Sequence, residues 1–240
     1  MKTEQIKIYA TLALISILLS SCWLIGPTIR GNGNVTEETR NLDGFDEIEV
    51  SLGMNVYITQ GSPTNVKVIA DNNLHDVIET DVDGDVLKVY VSANIREARE
   101  MKVMVTVEDI TRVNVTSGGN VYSQNQIKAE NMELKATLGS NMTMDLDAEN
   151  LHAACSTGAN IKLSGVARES ELEGSSGANL KAEDLKSERC RMRASGGGNV
   201  YASVIKELEA KASGGGNIVY YGEPATADIS SSGGGNINHR

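Results

Sequence analysis

The sequence predicts an all-β protein: a right-handed parallel β-solenoid with an antiparallel β region capping its N-terminal end. A glycine-rich motif ending in Asn and an aliphatic residue recurs seven times in the second half of the chain. Apolar residues also stand at fixed distances from each copy of this motif. Finally, the chain has one Phe and one Trp but 24 Gly in 240 residues. That composition favours a narrow interior over a large aromatic core.

The motif reads small-Gly-small-Asn-aliphatic. Successive copies of its Asn are 21, 19, 19, 20, 18 and 19 residues apart, and a period near 20 is typical of solenoids. The seven residues are Asn120, Asn141, Asn160, Asn179, Asn199, Asn217 and Asn236. We therefore divide the chain into an export signal (1–21), a tether (22–34), an N-terminal β region with the first coils (35–113) and a repeat solenoid (114–240).

Aligning the copies on Asn separates inward from outward positions. Five residues before Asn the side chain is always small or thin, and one residue after it the side chain is always aliphatic. The alternation predicts two short strands per coil. Seven residues before Asn the chain has Val113, Leu134, Ala153, Leu172, Met192, Ala210 and Ile229. Eight before, facing solvent and able to pair between coils, it has Arg112, Glu133, His152, Glu171, Arg191, Glu209 and Asp228.

Each motif should form a tight corner. Gly adopts positive φ without steric cost, and Asn tolerates the left-handed region better than other side chains. Identical Asn residues on coils ~4.8 Å apart can also hydrogen-bond as a ladder. Calcium-binding glycine-rich repeats need a carboxylate where this repeat has Asn, so we expect no metal or other cofactor.

The first half follows the pattern only in part. Residues 51–56 fit the corner template, and residues 31–35 resemble a degenerate earlier coil. Between Asn55 and Asn120 lie apolar or alternating segments at 66–70, 86–91 and 101–107, together with a hairpin signal at residues 83–85. We interpret this region as antiparallel hairpins that hide one end of the solenoid.

Residues 1–21 have the layout of an export signal, in which Lys2 and Lys7 precede an apolar stretch and two small residues. Cys22 follows directly, as in a bacterial lipobox, and predicts a lipid on its thiol. The alternative is an ordinary signal peptide with an incidental Cys. No acidic run follows Cys22, so the periplasmic face of the outer membrane and the cell surface are both open.

The acidity of the chain excludes some partners. Removing residues 1–21 takes away two of 22 basic and one of 32 acidic residues, which leaves 20 against 31 and a net charge of −11. Nucleic acid binding requires basic patches, and electrostatic docking on anionic lipid is equally disfavoured. The expected attachment to the membrane is therefore the N-terminal lipid.

Residues 36–61 and the later Gly-Asn-aliphatic repeats are similar to the "putative auto-transporter adhesin, head GIN domain" family, which is common in Bacteroidetes. The resemblance covers roughly residues 35–237. It implies a β-helical fold and an exported location, supports a binding role, and carries no catalytic residues to transfer.

No catalytic motif stands out. The three His residues are far apart in sequence, and no Ser-nucleophile elbow or phosphate loop occurs. We predict a non-catalytic cell-envelope lipoprotein that acts as a binding or structural module, with a glycan or an envelope protein as partner. Tyr122, Tyr201 and Tyr221 are the candidate ligand-facing residues.

The alternative is a carbohydrate-active β-helix enzyme. Such an enzyme needs carboxylates grouped in a groove, and the candidate pairs are Asp145 with Asp147 and Glu183 with Asp184. Cys155 and Cys190 belong to different columns of coils that are not adjacent, so we predict two buried free thiols and no disulfide.

Lipidation gives the first testable prediction. Replacing Cys22 by Ala removes the thiol that carries the lipid, so the Cys22→Ala protein should move from the membrane fraction to the soluble fraction. Immunoblotting of the two fractions measures the shift. A mutant that stays with the membrane would show that this Cys is not the anchor.

Overall fold

The computed structural model describes residues 28–240; the predicted export signal and Cys22 lie outside the described residues. This part of the chain is almost entirely β-strand, with one short 3₁₀ helix at Asn72–Val77. The strands are β1 (Thr28–Arg30), β2 (Val35–Arg40), β3 (Glu47–Val50), β4 (Asn55–Gln60), β5 (Asn65–Asp71), β6 (Ile78–Asp83), β7 (Val86–Val91), β8 (Asn94–Glu97), β9 (Met101–Val107), β10 (Arg112–Val115), β11 (Asn120–Ser123), β12 (Ile127–Ala136), β13 (Asn141–Cys155), β14 (Asn160–Gly174), β15 (Asn179–Ala194), β16 (Asn199–Ala212), β17 (Asn217–Tyr221), β18 (Thr226–Ser231) and β19 (Asn236–His239).

The predicted parallel β-solenoid is confirmed, with about seven turns. Successive coils pair in parallel with Asn opposite Asn, as in Asn141 with Asn160 and Asn179 with Asn199. The prediction of two separate strands per coil is wrong for the central coils, where one strand of 14–16 residues forms both walls. Such a strand bends where two neighbouring residues both face outward, for example at Arg168 and Glu169.

Each motif forms a two-residue corner. In the corner at 116–119 the Gly119 amide donates to the Thr116 carbonyl at 3.0 Å, and the two residues between them have φ of 51° and 74°. Two positive φ angles in a row are the signature of a type I′ turn. The same pair of angles recurs at Leu52, Leu138, Thr157 and Ser176, each followed by Gly.

Of the two predicted roles of the motif Asn, the left-handed backbone is wrong, whereas the hydrogen-bonded ladder is present. No motif Asn has a positive φ, because each one is the first residue of the strand after the corner. The left-handed residues stand three and two positions before it. A residue with a Cβ in that region costs ~1 kcal/mol, which Gly at Gly196, Gly214 and Gly233 avoids.

The predicted column of small residues, five before Asn, lies against the residue that precedes the Asn of the following coil. A Cβ added to Gly198 would lie 2.4 Å from the carbonyl oxygen of Gly174, and one added to Gly216 would lie 2.3 Å from that of Ala194. Neither distance is sterically possible. This close approach explains why positions 198 and 216 are Gly.

The N-terminal cap is confirmed as well. Strands β3 and β4 form a coil that stacks on β10 and β11 on one side and on β7 and β9 on the other, in parallel throughout. The chain therefore leaves the first coil, builds the cap and returns, which accounts for the long interval between Asn55 and Asn120. The predicted hairpin joins antiparallel β6 and β7 around Gly84.

One expectation about this region is wrong. Residues 31–35 do not form an earlier coil, because Val35 begins β2, which runs antiparallel to β5. The glycines serve a loop instead: the Gly33 amide donates to the fully buried carboxylate of Asp71 at 2.8 Å. A Cβ on Gly31 would lie 2.1 Å from the same carboxylate.

The predicted core columns are buried except at the last coil. Leu172 and Met192 are paired neighbours on adjacent coils and are both fully buried. Ile229 is 44% exposed because β18 pairs with β16 alone among the described residues. Cys155 and Cys190 are buried free thiols, as predicted.

Stability should follow this burial. Leu172→Ala empties a fully buried site and should lower the free energy of unfolding by about 2–5 kcal/mol. Ile205, which is 50% exposed, is the control: Ile205→Ala should change it by less than about 0.5 kcal/mol. Denaturant titration of both variants measures the difference, and equal effects would contradict the column assignment.

Candidate binding groove

A groove of about 1000 Å³ runs along the solenoid beside the bend at Arg168 and Glu169 and the equivalent bends of the other coils. Its floor is the column nine residues before each motif Asn, and its walls are the columns ten and eight residues before. In the central coils the side chains of the floor are almost covered, for example Leu151 at 3% and Cys190 at 3% exposure, whereas Thr111 and Ala227 at the two ends are exposed. The floor consists of Thr111, Met132, Leu151, Ser170, Cys190, Leu208 and Ala227.

The groove arises because the strands bend at this place. The outward residues ten and eight positions before each motif Asn lie on either side of an inward residue. Because the coils stack in register, this arrangement repeats from coil to coil. One wall contains Asn131, Asn150, Glu169, Arg189, Glu207 and Thr226. The other wall is the predicted outward column from Arg112 to Asp228, extended by Glu47 of the first coil.

Most charges in the walls are neutralised along the solenoid axis. Arg189 lies 2.7 Å from a carboxylate oxygen of Glu169 and 3.5 Å from one of Glu207. In the opposite wall Arg191 lies 2.8 Å from Glu209. Hydrogen bonds from Lys211 and Arg191 lower the pKa of Glu209 to about 2, so this carboxylate stays ionised.

The groove nevertheless has an acidic surplus. Seven carboxylates and three arginines line it. Within residues 28–240, Glu133 and Asp228 have no cationic group within ion-pair distance, and they lie in different halves of the groove. Two carboxylates thus remain available to a ligand.

One groove carboxylate, Glu209, is unsuited to general acid catalysis. A glycosidase needs one carboxyl with a raised pKa, whereas the pKa of Glu209 is lowered. Of the carboxylates considered from the sequence, Asp145, Asp147, Glu183 and Asp184 all lie outside the groove lining. In the part of the chain that the structure describes, no cluster of three His, Cys, Asp or Glu could hold a metal ion.

The motif Asn side chains point along the corner and bond to one another. The amide of Asn141 donates to the side-chain oxygen of Asn120 at 2.8 Å, and Asn160 donates to Asn141 at 3.0 Å. The row begins one coil earlier than the seven repeats, at Asn55. Further bonds join Asn179 to Asn160, Asn199 to Asn179, and Asn236 to Asn217.

The candidate tyrosines are not brought together, and none lines the groove. Tyr122 stacks on Tyr57 of the first coil, with ring centroids 5.2 Å apart. Tyr201 is in the same column but four coils further on, with Thr143, Lys162 and Lys181 between. Tyr221 pairs with Ser203.

Two features of the corners, a tyrosine stack and a row of hydroxyl side chains, were not predicted although the sequence contains a signal for each. Tyr57 follows Asn55 by two residues just as Tyr122 follows Asn120, so the stack could have been predicted. Four residues before Asn, every corner has Ser or Thr, and the hydroxyls of Thr116 and Thr137 are 2.9 Å apart. The groove itself left no comparable signal, because it depends on where each strand bends.

Residues 44–224 match the model of the family described as "Putative auto-transporter adhesin, head GIN domain". The chain belongs to this family. No match was found among curated proteins.

Solved structures share the fold. A protein from Bacteroides fragilis described as a putative adhesin is 20% identical, with a TM-score of 0.82 over 88% of this chain and 100% of that one. A putative lipid binding protein from Parabacteroides distasonis is 22% identical, with a TM-score of 0.68 over 89% and 100%. Among residues 28–240, no helix is long and apolar enough to cross a membrane.

The closed floor of the groove has a chemical consequence. Burial raises the pKa of the Cys190 thiol to about 12, and likewise that of Cys155. In the Cys22→Ala protein at pH 8, both thiols should resist an aromatic disulfide reagent, because the reactive thiolate is scarce and covered. Unfolding in denaturant should release two reactive thiols; rapid reaction of Cys190 in the native protein would mean that the floor is open.

Proposed function

We propose that this protein is a non-catalytic, lipid-anchored binding module of the cell envelope whose groove holds an extended ligand. Membership of an adhesin-type family indicates an envelope or surface protein. The lipobox-like Cys22 after an export signal supports a lipid anchor in the outer membrane. The periplasmic face and the cell surface both remain compatible with the sequence.

The groove carries the proposal. It extends from Glu47 in the first coil to Asp228 in the last, eight levels that correspond to about 34 Å at ~4.8 Å per coil. Its polar walls repeat at every coil and its floor is shallow and closed. This shape suits a chain lying along the axis, a glycan or an extended segment of an envelope protein, better than a compact small molecule.

Carbohydrate-active enzymes are the second candidate, because the groove does contain carboxylates. The ion pairs of Glu169, Glu207 and Glu209 with arginines favour binding over proton transfer. An enzyme would have to use Glu133 or Asp228, which lie on different coils far from each other.

A blocked groove tests the proposal. The full mature protein is applied to an array of bacterial envelope and host glycans. Binding of the Asn150→Trp variant is then measured for each class of glycan that the parent protein binds. Asn150 is in the groove wall, so a bulky side chain there should weaken binding at least about tenfold, since it fills the space of the ligand.

The matched control is Lys162→Trp, on an exposed position outside the groove, which should leave binding unchanged. Equal binding by the Asn150→Trp protein would place the ligand elsewhere. Release of new reducing ends from a bound glycan would favour the enzyme.

A further inference from the structure

Two exposed leucines occupy backbone positions that do not favour them. Leu52 is 51% exposed and Leu138 is 56% exposed, and both have the left-handed φ of a corner, 54° and 53°. Three other corners place Gly at the equivalent position with φ of 53°. The fold therefore accepts Gly here, and Asn would also be favourable. Packing within the chain does not explain these leucines.

The corners together form an uncharged edge, which we call the corner edge. It comprises the residues from five before to one after each corner Asn, beginning with residues 50–56 and ending with residues 231–237. None of these residues is charged in any of the eight corners, although 22% of the chain is charged. Leu52 and Leu138 project from this edge in the first and third coils, on either side of Ser117.

The chain enters the fold at the same edge. The Ser51 amide donates to the carbonyl of Val89 at 3.0 Å, and the Asn55 side chain donates to that of Met101 at 3.1 Å. The segment between Val89 and Met101 therefore replaces a tight corner directly beside Leu52. This segment contains β8, which pairs with β1 at the beginning of the described chain.

The attachment of this first segment is firm. Gly31 donates to the carbonyl of Glu97 at 2.7 Å, and the Asp71 carboxylate accepts amides from Gly33, Arg99 and Glu100. These amides lower the pKa of Asp71, that of Gly33 most. Five residues lie between Cys22 and Thr28, and the six backbone steps reach at most about 20 Å. A lipid on Cys22 would hold Thr28, at the start of β1, within about that distance of the bilayer.

We propose that the corner edge is a membrane-docking surface, with Leu52 and Leu138 inserted between lipid headgroups. This rests on the proposed lipid anchor. Apolar side chains add to a lipid anchor because a single chain holds a protein only marginally. An edge without charges can approach the bilayer without desolvating ions, which suits a protein too acidic for electrostatic docking.

The proposal also orients the groove. Its floor is six residues along the strand from the left-handed corner position, about 20 Å. With the corner edge on the bilayer, the solenoid axis lies along the membrane and the groove opens away from it, where an extended ligand can reach it.

Spin labels on the full lipidated protein in phosphatidylcholine vesicles test the docking surface. Nitroxides are attached to Leu52→Cys, Leu138→Cys and, as a control, Ile205→Cys; the two native buried thiols should not react. At 52 and 138 the ratio of oxygen to water-soluble nickel accessibility should be several-fold higher than at 205. Equal ratios in a protein that floats with the vesicles overturn the docking surface alone. A protein that does not float overturns the lipid anchor and the docking surface with it.

A second measurement separates docking from folding. The Leu52→Asn/Leu138→Asn protein should move from donor to acceptor vesicles several-fold faster than the parent, while its thermal unfolding midpoint stays equal or rises. Ile205→Asn should change neither. Unchanged transfer of the double variant, or faster transfer together with a lowered midpoint, contradicts insertion of the leucines.

Discussion

The structure depends on one constraint: every coil must reverse direction within two residues of left-handed backbone. Such a corner brings the two walls so close that a Cβ on Gly198 would collide with the carbonyl of Gly174. The corner thereby determines which positions require small residues. It also determines where the following strand begins and how the next coil is placed. Parallel pairing with Asn opposite Asn follows, because a shift by one residue would turn the core columns outward.

The same stacking produces both candidate surfaces. At one end of each wall the corners give a row of hydroxyl, amide and apolar side chains without charge. At the other end the bend gives the two charged columns of side chains that line the groove. In these columns Arg189 and Arg191 form ion pairs with carboxylates on neighbouring coils. Each such exposed pair contributes little alone, but the rows hold the groove side chains in place. The proposed recognition and attachment surfaces thus occupy separate regions of the same strands.

The repeated part of the fold could be predicted from the sequence, and the irregular part only in outline. Period and alternation identify inward residues such as Leu172, since every coil repeats the same environment. The bend beside Glu169 could not be located from the sequence. The alternation of apolar and polar residues indicates which side chains face inward, but it does not give the angle between the two parts of a bent strand. The loop at Gly33 was mistaken for a coil for the opposite reason: Gly and Asn serve a corner and a loop held by Asp71 equally well.

Residue type alone does not locate the groove. The predicted ligand-facing residues Tyr122 and Tyr201 lie outside it, and the ring of Tyr122 is stacked on that of Tyr57. The groove walls consist of residues that look like an ordinary solvated face when taken one at a time. The repeat period predicts the stacking of one wall, from Arg112 to Asp228, but the second wall and the groove between them depend on the bend, which only the structure shows.

The coil is also a unit of length. Because each coil pairs with its neighbours through the same register, duplicating or deleting one repeat of about 19 residues would leave the cap and the remaining coils intact. The groove would grow or shrink by one ~4.8 Å step, with one more or one fewer pair of wall side chains. Related proteins could therefore adapt to longer or shorter ligands by gene duplication within the repeat array, without redesigning any single contact.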